Sequence, residues 1–232
     1  MELPNKIAVI TGVSKGIGHA TAVQLLAQGC TVFGLGRNNS ITHPNYTFIT
    51  CDIRDAKQVE RAFTTIYQHT QNQLHILINN AGLGYFGMLE DMPYEQWNEM
   101  FETNVNGIFY CCKQALPVMK KNQSSHIINI ASTAALEGMP QVSGYCATKW
   151  AVKGLSESLF REVREFGVKV TCLYPGSTKT DFFRNSPGIK PHDYMLMPED
   201  VAANIVYALQ MPANFHTVNL EIRPLQPKGP KQ

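Results

Sequence analysis

Two kinds of stretch alternate along the chain. Short apolar, β-branched runs occur at residues 6–11, 31–36, 46–51, 74–78, 125–132, 168–174 and 218–222. Near-continuous apolar runs of that length are what strands buried on both faces look like. Between them lie longer segments with apolar residues at helical spacing. One covers 19–29 and is closed by Gly29. A second covers 56–69, with Asp55 as its N-cap. A third runs from about 94 to 119 behind Pro93, and the last two cover 145–166 and 198–210. This alternation predicts an α/β fold built on a parallel sheet.

Three places depart from the pattern. Residues 37–45 join the second and third runs directly. A parallel crossover needs a dozen or more residues, so a loop or single turn is expected there instead of a helix. Asn104 lies inside the third helical segment, in Thr103-Asn104-Val105-Asn106-Gly107. These are poor helix formers, and a conflict between local propensity and the wider pattern often marks a functional site. Residues 177–197 have no period and are rich in Pro, Gly, Asn and aromatics, which predicts a mobile substrate loop or small lobe. One domain over 1–224 is expected, followed by an extended tail at 225–232.

Composition narrows the classes. The chain has 232 residues, 44% hydrophobic and 16% charged, enough for one well-buried domain. A net charge of +2 gives no reason to expect nucleic acid or an anionic membrane as partner. No apolar run approaches the ~18 residues of a spanning helix, and the N-terminus lacks a signal-peptide core. The six cysteines, at 30, 51, 111, 112, 146 and 172, show no metal-ligand spacing. Buried free thiols, a reducing cytoplasm and no metal are the expectation.

The chemistry sits where runs end. The first run leads into Gly12-Val13-Ser14-Lys15-Gly16-Ile17-Gly18 and then a helix. Strand, glycine turn and helix can hold a dinucleotide's pyrophosphate on backbone N–H groups. The spacing is not the usual G-x-G-x-x-G, and alone it also fits a plain tight turn. The second run ends in Gly36-Arg37 with no acid. An acid there suits the 2′-hydroxyl of NAD, and Arg the 2′-phosphate of NADP. Arg37 with Lys15 therefore favours NADP(H) over NAD(H). Ser132 ends the fifth run, and Tyr145 and Lys149 share one helix face, one turn apart. A phenol beside an ammonium is a proton donor for a substrate.

The ordered set resembles the short-chain dehydrogenase/reductase superfamily over nearly the whole chain. The matching pieces are Thr11-Gly12-Val13-Ser14-Lys15-Gly16-Ile17-Gly18, Asp52, Asn79-Asn80-Ala81-Gly82, Asn104, Ser132, Tyr145-Cys146-Ala147-Thr148-Lys149 and Pro175-Gly176-Ser177-Thr178-Lys179-Thr180. The resemblance implies a doubly wound, seven-stranded parallel Rossmann-type sheet and hydride transfer with a nicotinamide cofactor. It implies Tyr145 as acid/base, Ser132 polarising the substrate oxygen, and Lys149 on the nicotinamide ribose, lowering the Tyr145 pKa. Asn104 would anchor a water relaying protons to Lys149. Asp52 and Ile53 would touch adenine, and Asn80, Ala81 and Gly82 the ribose. Thr178, through its backbone, and Thr180, through its hydroxyl, would meet the carboxamide, with Pro175 and Gly176 also at the cofactor. Homodimers or homotetramers are implied as well.

The expected substrate wall is apolar: Leu83, Tyr85, Phe86, Ser132, Met139, Gln141, Phe182 and Phe183, with Glu137, Gly138, Tyr194 and Met197 nearby. It offers no arginine pair, which favours a neutral carbonyl or alcohol. Two other readings stay open, a 3-oxoacyl-thioester reductase and a non-catalytic NADP(H)-binding redox regulator. Trp150 is bulky for its place and is expected either at a subunit contact or narrowing the pocket.

Overall fold

The computed structural model describes residues 1–182 and 192–228. The strands are β1 (Ile7–Thr11), β2 (Thr31–Gly36), β3 (Tyr46–Thr50), β4 (Ile76–Asn79), β5 (Ser125–Ile130), β6 (Val168–Pro175) and β7 (Asn219–Ile222). The helices are α1 (Gly16–Ala27), α2 (Ala56–Thr70), α3 (Tyr94–Phe101), α4 (Gly107–Asn122), α5 (Ser143–Val163) and α6 (Pro198–Gln210). All seven strands are parallel, in the order β3-β2-β1-β4-β5-β6-β7.

Alternation along each strand divides the core. Ala8 and Ile10 of β1, Ile76 and Ile78 of β4 and Ile128 of β5 pack with Leu25 of α1 and Ile205 of α6. Val9, Leu77, Ile127 and Val170 face the other way, against Phe63 of α2, Cys111 of α4 and Leu159 of α5. The central strands, β1, β4 and β5 among them, are covered on both sides, which is why their sequences read as nearly unbroken apolar runs, whereas the edge strands β3 and β7 are more exposed. The order runs outward from β1 to β3 and then back across to β4. The crevice between the carboxyl ends of β1 and β4 is therefore the switch point where α/β sheets bind ligands.

The expected loop at 37–45 is present, so no helix lies between β2 and β3 in the chain. Asp55 caps α2, accepting from the Lys57 and Gln58 amides at 2.8 and 3.2 Å. The helix expected over 94–119 is corrected in one respect. It opens into a π-helical turn at Glu102–Asn106 before α4 resumes. Single π turns often occur at functional sites, and this one holds Asn104 with no exposed surface. Trp150 is on the outside of α5, 47% exposed under Lys153, so it does not narrow a pocket. All six cysteines are buried and free. Among the described residues, no helix is long and apolar enough to cross a membrane.

Candidate active site

The glycine turn and the Asn80-Ala81 turn close on each other at the switch point. Thr11 Oγ1 accepts from the Asn80 and Ala81 amides, both at 3.0 Å. Asn80 Nδ2 returns bonds to the carbonyls of Thr11 and Gly12, at 2.9 and 3.1 Å. Gly12 has φ of 73°, a left-handed conformation that glycine adopts without strain. A Cβ at Gly18 would stand 2.4 Å from the Gly12 carbonyl oxygen, so only glycine lets the helix start this close. α1 then begins without a side-chain cap and without an acid in its first turn. Its positive end is left uncompensated by the protein, as a pyrophosphate site requires. These residues fit a dinucleotide.

The other expected cofactor residues gather round this turn with some changes of role. The Thr180 methyl lies 3.2 Å from where a Gly16 Cβ would stand, so the loop after β6 reaches the glycine turn. Thr178 is buried and its hydroxyl donates to the Gly176 carbonyl at 3.0 Å. Pro175 ends β6 beside Ile222. Ser14 contributes its carbonyl, which accepts from Ser40 at 2.8 Å and ties the loop after β2 to the turn. Ile17 packs on the core beneath. Arg37 is exposed at the end of β2, and its charge acts on Asp52. Lys15 does not stand free beside Arg37, because its ammonium bonds the Asp181 carboxylate at 2.7 Å. Asp52 is held by Arg54, whose hydrogen bonds keep its carboxyl below the usual range. Ile53 is buried under α4.

The proton-handling residues come from β5, α5 and the π turn. Ser132 follows β5; its Oγ accepts from the Ala134 amide at 3.2 Å, and its hydroxyl is near enough to the Tyr145 phenol to act on its protonation. Lys149 Nζ donates to the Ile130 carbonyl at 2.8 Å and lies 5.6 Å from the centre of the Tyr145 ring. Both side chains are buried, and burial dominates their protonation. The Tyr145 phenol is pushed well above its ordinary range by burial, with Ser132 opposing. The Lys149 ammonium is pushed down to about 8 by burial, with Cys172 opposing. The expectation that Lys149 lowers the Tyr145 pKa is thus corrected for the protein's own groups. A desolvated ammonium turned toward a carbonyl offsets less than burial costs.

The Asn104 side chain is engaged by the scaffold. Its Nδ2 donates to the Leu83 carbonyl at 2.8 Å and to Thr148 Oγ1 at 3.1 Å, while Oδ1 accepts from the Leu83 amide at 2.9 Å. It therefore fixes the turn at Gly82 and Leu83 against α5.

The aromatic wall is partly as expected. Phe86, Tyr145 and Phe182 form a triangle with ring centres 5.4 to 6.1 Å apart. Leu83 and Tyr85 pack with them. Met139 is 42% exposed, and Gln141 is exposed with φ of 65°, its carbonyl accepting from the Gly87 amide. Neither joins the aromatic cluster, and Glu137, Gly138, Tyr194 and Met197 are likewise exposed. Phe183 lies outside the described residues. Met92, Met100 and Val142 belong to the wall and are missing from the sequence-based set. Met100 and Met92 pack where a Gly144 Cβ would stand, a closeness that helical spacing within α3 does not reveal. No group of three or more potential metal-ligating side chains occurs among the described residues.

Comparison with known proteins agrees with this geometry. Residues 6–188 match the model of the short chain dehydrogenase family. An uncharacterised oxidoreductase of Staphylococcus aureus strain MW2 is 33% identical over 96% of this chain and 99% of its own length. The alcohol dehydrogenase of the archaeon Thermococcus sibiricus, complexed with 5-hydroxy-NADP, superposes with a TM-score of 0.88 at 27% identity, covering 98% of this chain and 99% of the other. A 3-ketoacyl-(acyl-carrier-protein) reductase of Brucella melitensis, complexed with NADH, gives a TM-score of 0.89 at 23% identity, covering 97% and 99%. This last likeness carries the fold alone. The glycine cradle at the switch point and the matched family together show that this chain belongs to the short-chain dehydrogenases and is an oxidoreductase.

Proposed function

We propose that the chain moves a hydride between NADP(H) and a neutral carbonyl or secondary alcohol, with Tyr145 as the acid/base. The observation that carries this reading is the burial of Tyr145 beside Lys149, whose ammonium lies 5.6 Å from its ring, under a wall of Phe86 and Phe182. The cofactor supplies or accepts the hydride. The protein supplies the proton and the place where charge develops.

In reduction, the Tyr145 hydroxyl gives its proton to the carbonyl oxygen as that oxygen becomes an alkoxide. Ser132 Oγ, aligned by its bond from Ala134, donates to the same oxygen and holds it in register. Lys149 is positioned to stabilise the phenolate that remains. Its ammonium, already down to about 8 through burial, exchanges its own proton near neutral pH. Asn104 acts as a positioning residue that keeps Leu83 and Thr148 in place. Gly12, Gly16, Ile17 and Gly18 would hold the pyrophosphate, and Asn80, Ala81 and Gly82 the ribose. Thr178 and Thr180 would meet the carboxamide. Arg37 would take the 2′-phosphate, a reading supported by the missing acid at the end of β2 and by the cofactor of the archaeal relative.

A panel of carbonyls and alcohols run with NADPH and NADH tests this. Tyr145→Phe should lose about 10²–10⁴ in kcat while NADPH binding, followed by nicotinamide fluorescence, is unchanged. Turnover that survives this substitution would remove the proton-donor role. A higher kcat/KM with NADH would overturn the assignment of Arg37. Preference for carrier-bound thioesters over simple ketones would favour an acyl-thioester reductase instead.

We infer in addition a homodimer or homotetramer formed on the α4–α5 face. A groove of about 500 Å³ lies there, lined by Phe109, Leu116, Leu155 and Leu159, with Lys113 and Glu162 at its edge. Sedimentation as a monomer at micromolar concentration would end this inference.

A further inference from the structure

A line of hydrogen bonds joins the two ends of the cleft. Asp52 stands just beyond β3, on the edge that Arg37 shares. Arg54 Nε donates to both Asp52 oxygens, at 3.0 and 3.1 Å, and one terminal nitrogen adds a bond at 2.6 Å. The other terminal nitrogen donates to Glu99 Oε1 at 2.8 Å. Glu99 lies in α3, and its second oxygen accepts from the Tyr85 hydroxyl at 2.6 Å. The Tyr85 amide donates to Met100 Sδ at 3.4 Å, and the next ring along the chain, Phe86, meets Tyr145.

We propose that Glu99 is a positioning residue that couples the adenosine end of the cofactor cleft to the aromatic wall over Tyr145. The inference rests on the nicotinamide dinucleotide reading above. It goes beyond that reading because neither Glu99, Arg54 nor the phenol of Tyr85 has a part in hydride or proton transfer.

The geometry makes Glu99 the junction. Its two oxygens serve different partners, so Arg54 cannot shift without pulling on the carboxylate that holds Tyr85. The side chains of Arg54, Asp52 and Glu99 are 31, 26 and 29% exposed. Charge-assisted bonds in such half-buried places are stronger and better fixed than pairs on an open surface. A ligand that settles over Asp52 and Ile53 fixes Arg54. Arg54 then fixes Glu99, and Glu99 fixes Tyr85. Because Phe86 is the next residue, the position of Tyr85 sets how closely the wall closes on the Tyr145 hydroxyl. The competing account is a static staple that ties α3 to the loop before α2 whether or not a ligand is bound.

Hydrogen exchange with and without saturating NADP⁺ separates the two accounts. In the wild type, NADP⁺ should slow exchange in the Gly12–Gly18 turn and also at the Tyr85 and Gly87 amides, the latter by about fivefold or more. In Glu99→Ala, which removes both acceptor oxygens, the turn stays protected and the slowing at Tyr85 and Gly87 is lost. Tyr85→Phe removes only the phenol and should give the same result, which keeps the test alive should Glu99→Ala fold poorly. Slowing at Tyr85 and Gly87 that persists in both variants, or that is missing from the wild type, overturns the coupling. A glycine turn that neither NADP⁺ nor NAD⁺ protects overturns the dinucleotide reading and the coupling with it.

Discussion

At the carboxyl ends of the strands, Tyr145 and Lys149 are buried with shifted pKa values beside the switch-point crevice. At the amino ends, His75, His126 and His216 are buried or half-buried, and burial lowers the pKa of each. A perturbed pKa alone would nominate both ends as functional. The surroundings differ. His126 Nε2 lies 2.8 Å from Thr171 Oγ1, whose own proton goes to the Thr217 carbonyl. The hydroxyl must therefore accept from His126, so its Nε2 carries a proton, and burial favours the neutral ring. His216 meets Phe160 in a tilted contact with ring centres 4.7 Å apart and His126 edge-to-face at 5.8 Å. These rings face packed side chains and Lys169, whose ammonium is spent on the Pro212 and Phe215 carbonyls. The carboxyl end places its shifted groups next to a glycine cradle and an apolar wall. Burial shifts pKa values at either end, and only an adjoining ligand site turns the shift into chemistry.

The largest expected effect tests the cradle. In Gly18→Ala the new Cβ would meet the Gly12 carbonyl oxygen at 2.4 Å and Asn80 Nδ2 at 2.3 Å. Backbone must move, at about 1–3 kcal/mol. NADPH affinity should fall about 10–100-fold, read by fluorescence titration. Unchanged affinity would show that the turn does not hold the cofactor and would erase the difference between the two ends.

A second effect concerns the cost of keeping a charge at the carboxyl end. The Lys149 pKa falls from 10.5 to about 8, a cost of about 3 kcal/mol for the buried ammonium below pH 8. The unfolded chain binds the proton more tightly between these values, so this cost fades and stability rises as pH climbs from about 8 to 10.5. Lys149→Met should abolish turnover yet raise unfolding stability at pH 7 by about 1–2 kcal/mol, less than the full cost because the Ile130 carbonyl loses its partner. Denaturant melts read this directly. A less stable variant would mean that the ammonium is structural.

The smallest effect is at the amino end. His126 and His216 have folded pKa values below 6.5. Below that pH the unfolded chain takes up protons that the native one refuses. Stability is therefore full above about 6.5 and is lost as pH falls toward the depressed native values. The groups facing His126 are His216, Lys169 and the N-terminal ammonium, all of which oppose its charging. His216→Phe keeps a ring against Phe160 and removes one titration. It should recover about 0.5 kcal/mol at pH 5 and leave turnover unchanged. Altered kinetics at neutral pH would make the amino end part of the function.

The sequence by itself indicated the α/β scaffold and the candidate reacting groups. Central strands covered on both faces must be apolar throughout, so those β runs are written in local composition, while the order of the strands in the sheet is not. The glycine turn, Ser132, Tyr145 and Lys149 were legible because each sits at a fixed distance from a strand end or along a helix face. Asn104 was legible as a poor helix former, though not as the centre of a π turn whose side chain is spent on Leu83 and Thr148. Tertiary structure alone decided which partners residues remote in sequence would find. It gave Lys15 to Asp181, set Glu99 between Arg54 and Tyr85, brought Met92 and Met100 into the wall, and left Met139 and Gln141 outside it. It also decided the protonation of Tyr145 and Lys149. Desolvation depends on everything that packs around a group, and spacing along the chain carries only the part that lies within one helix.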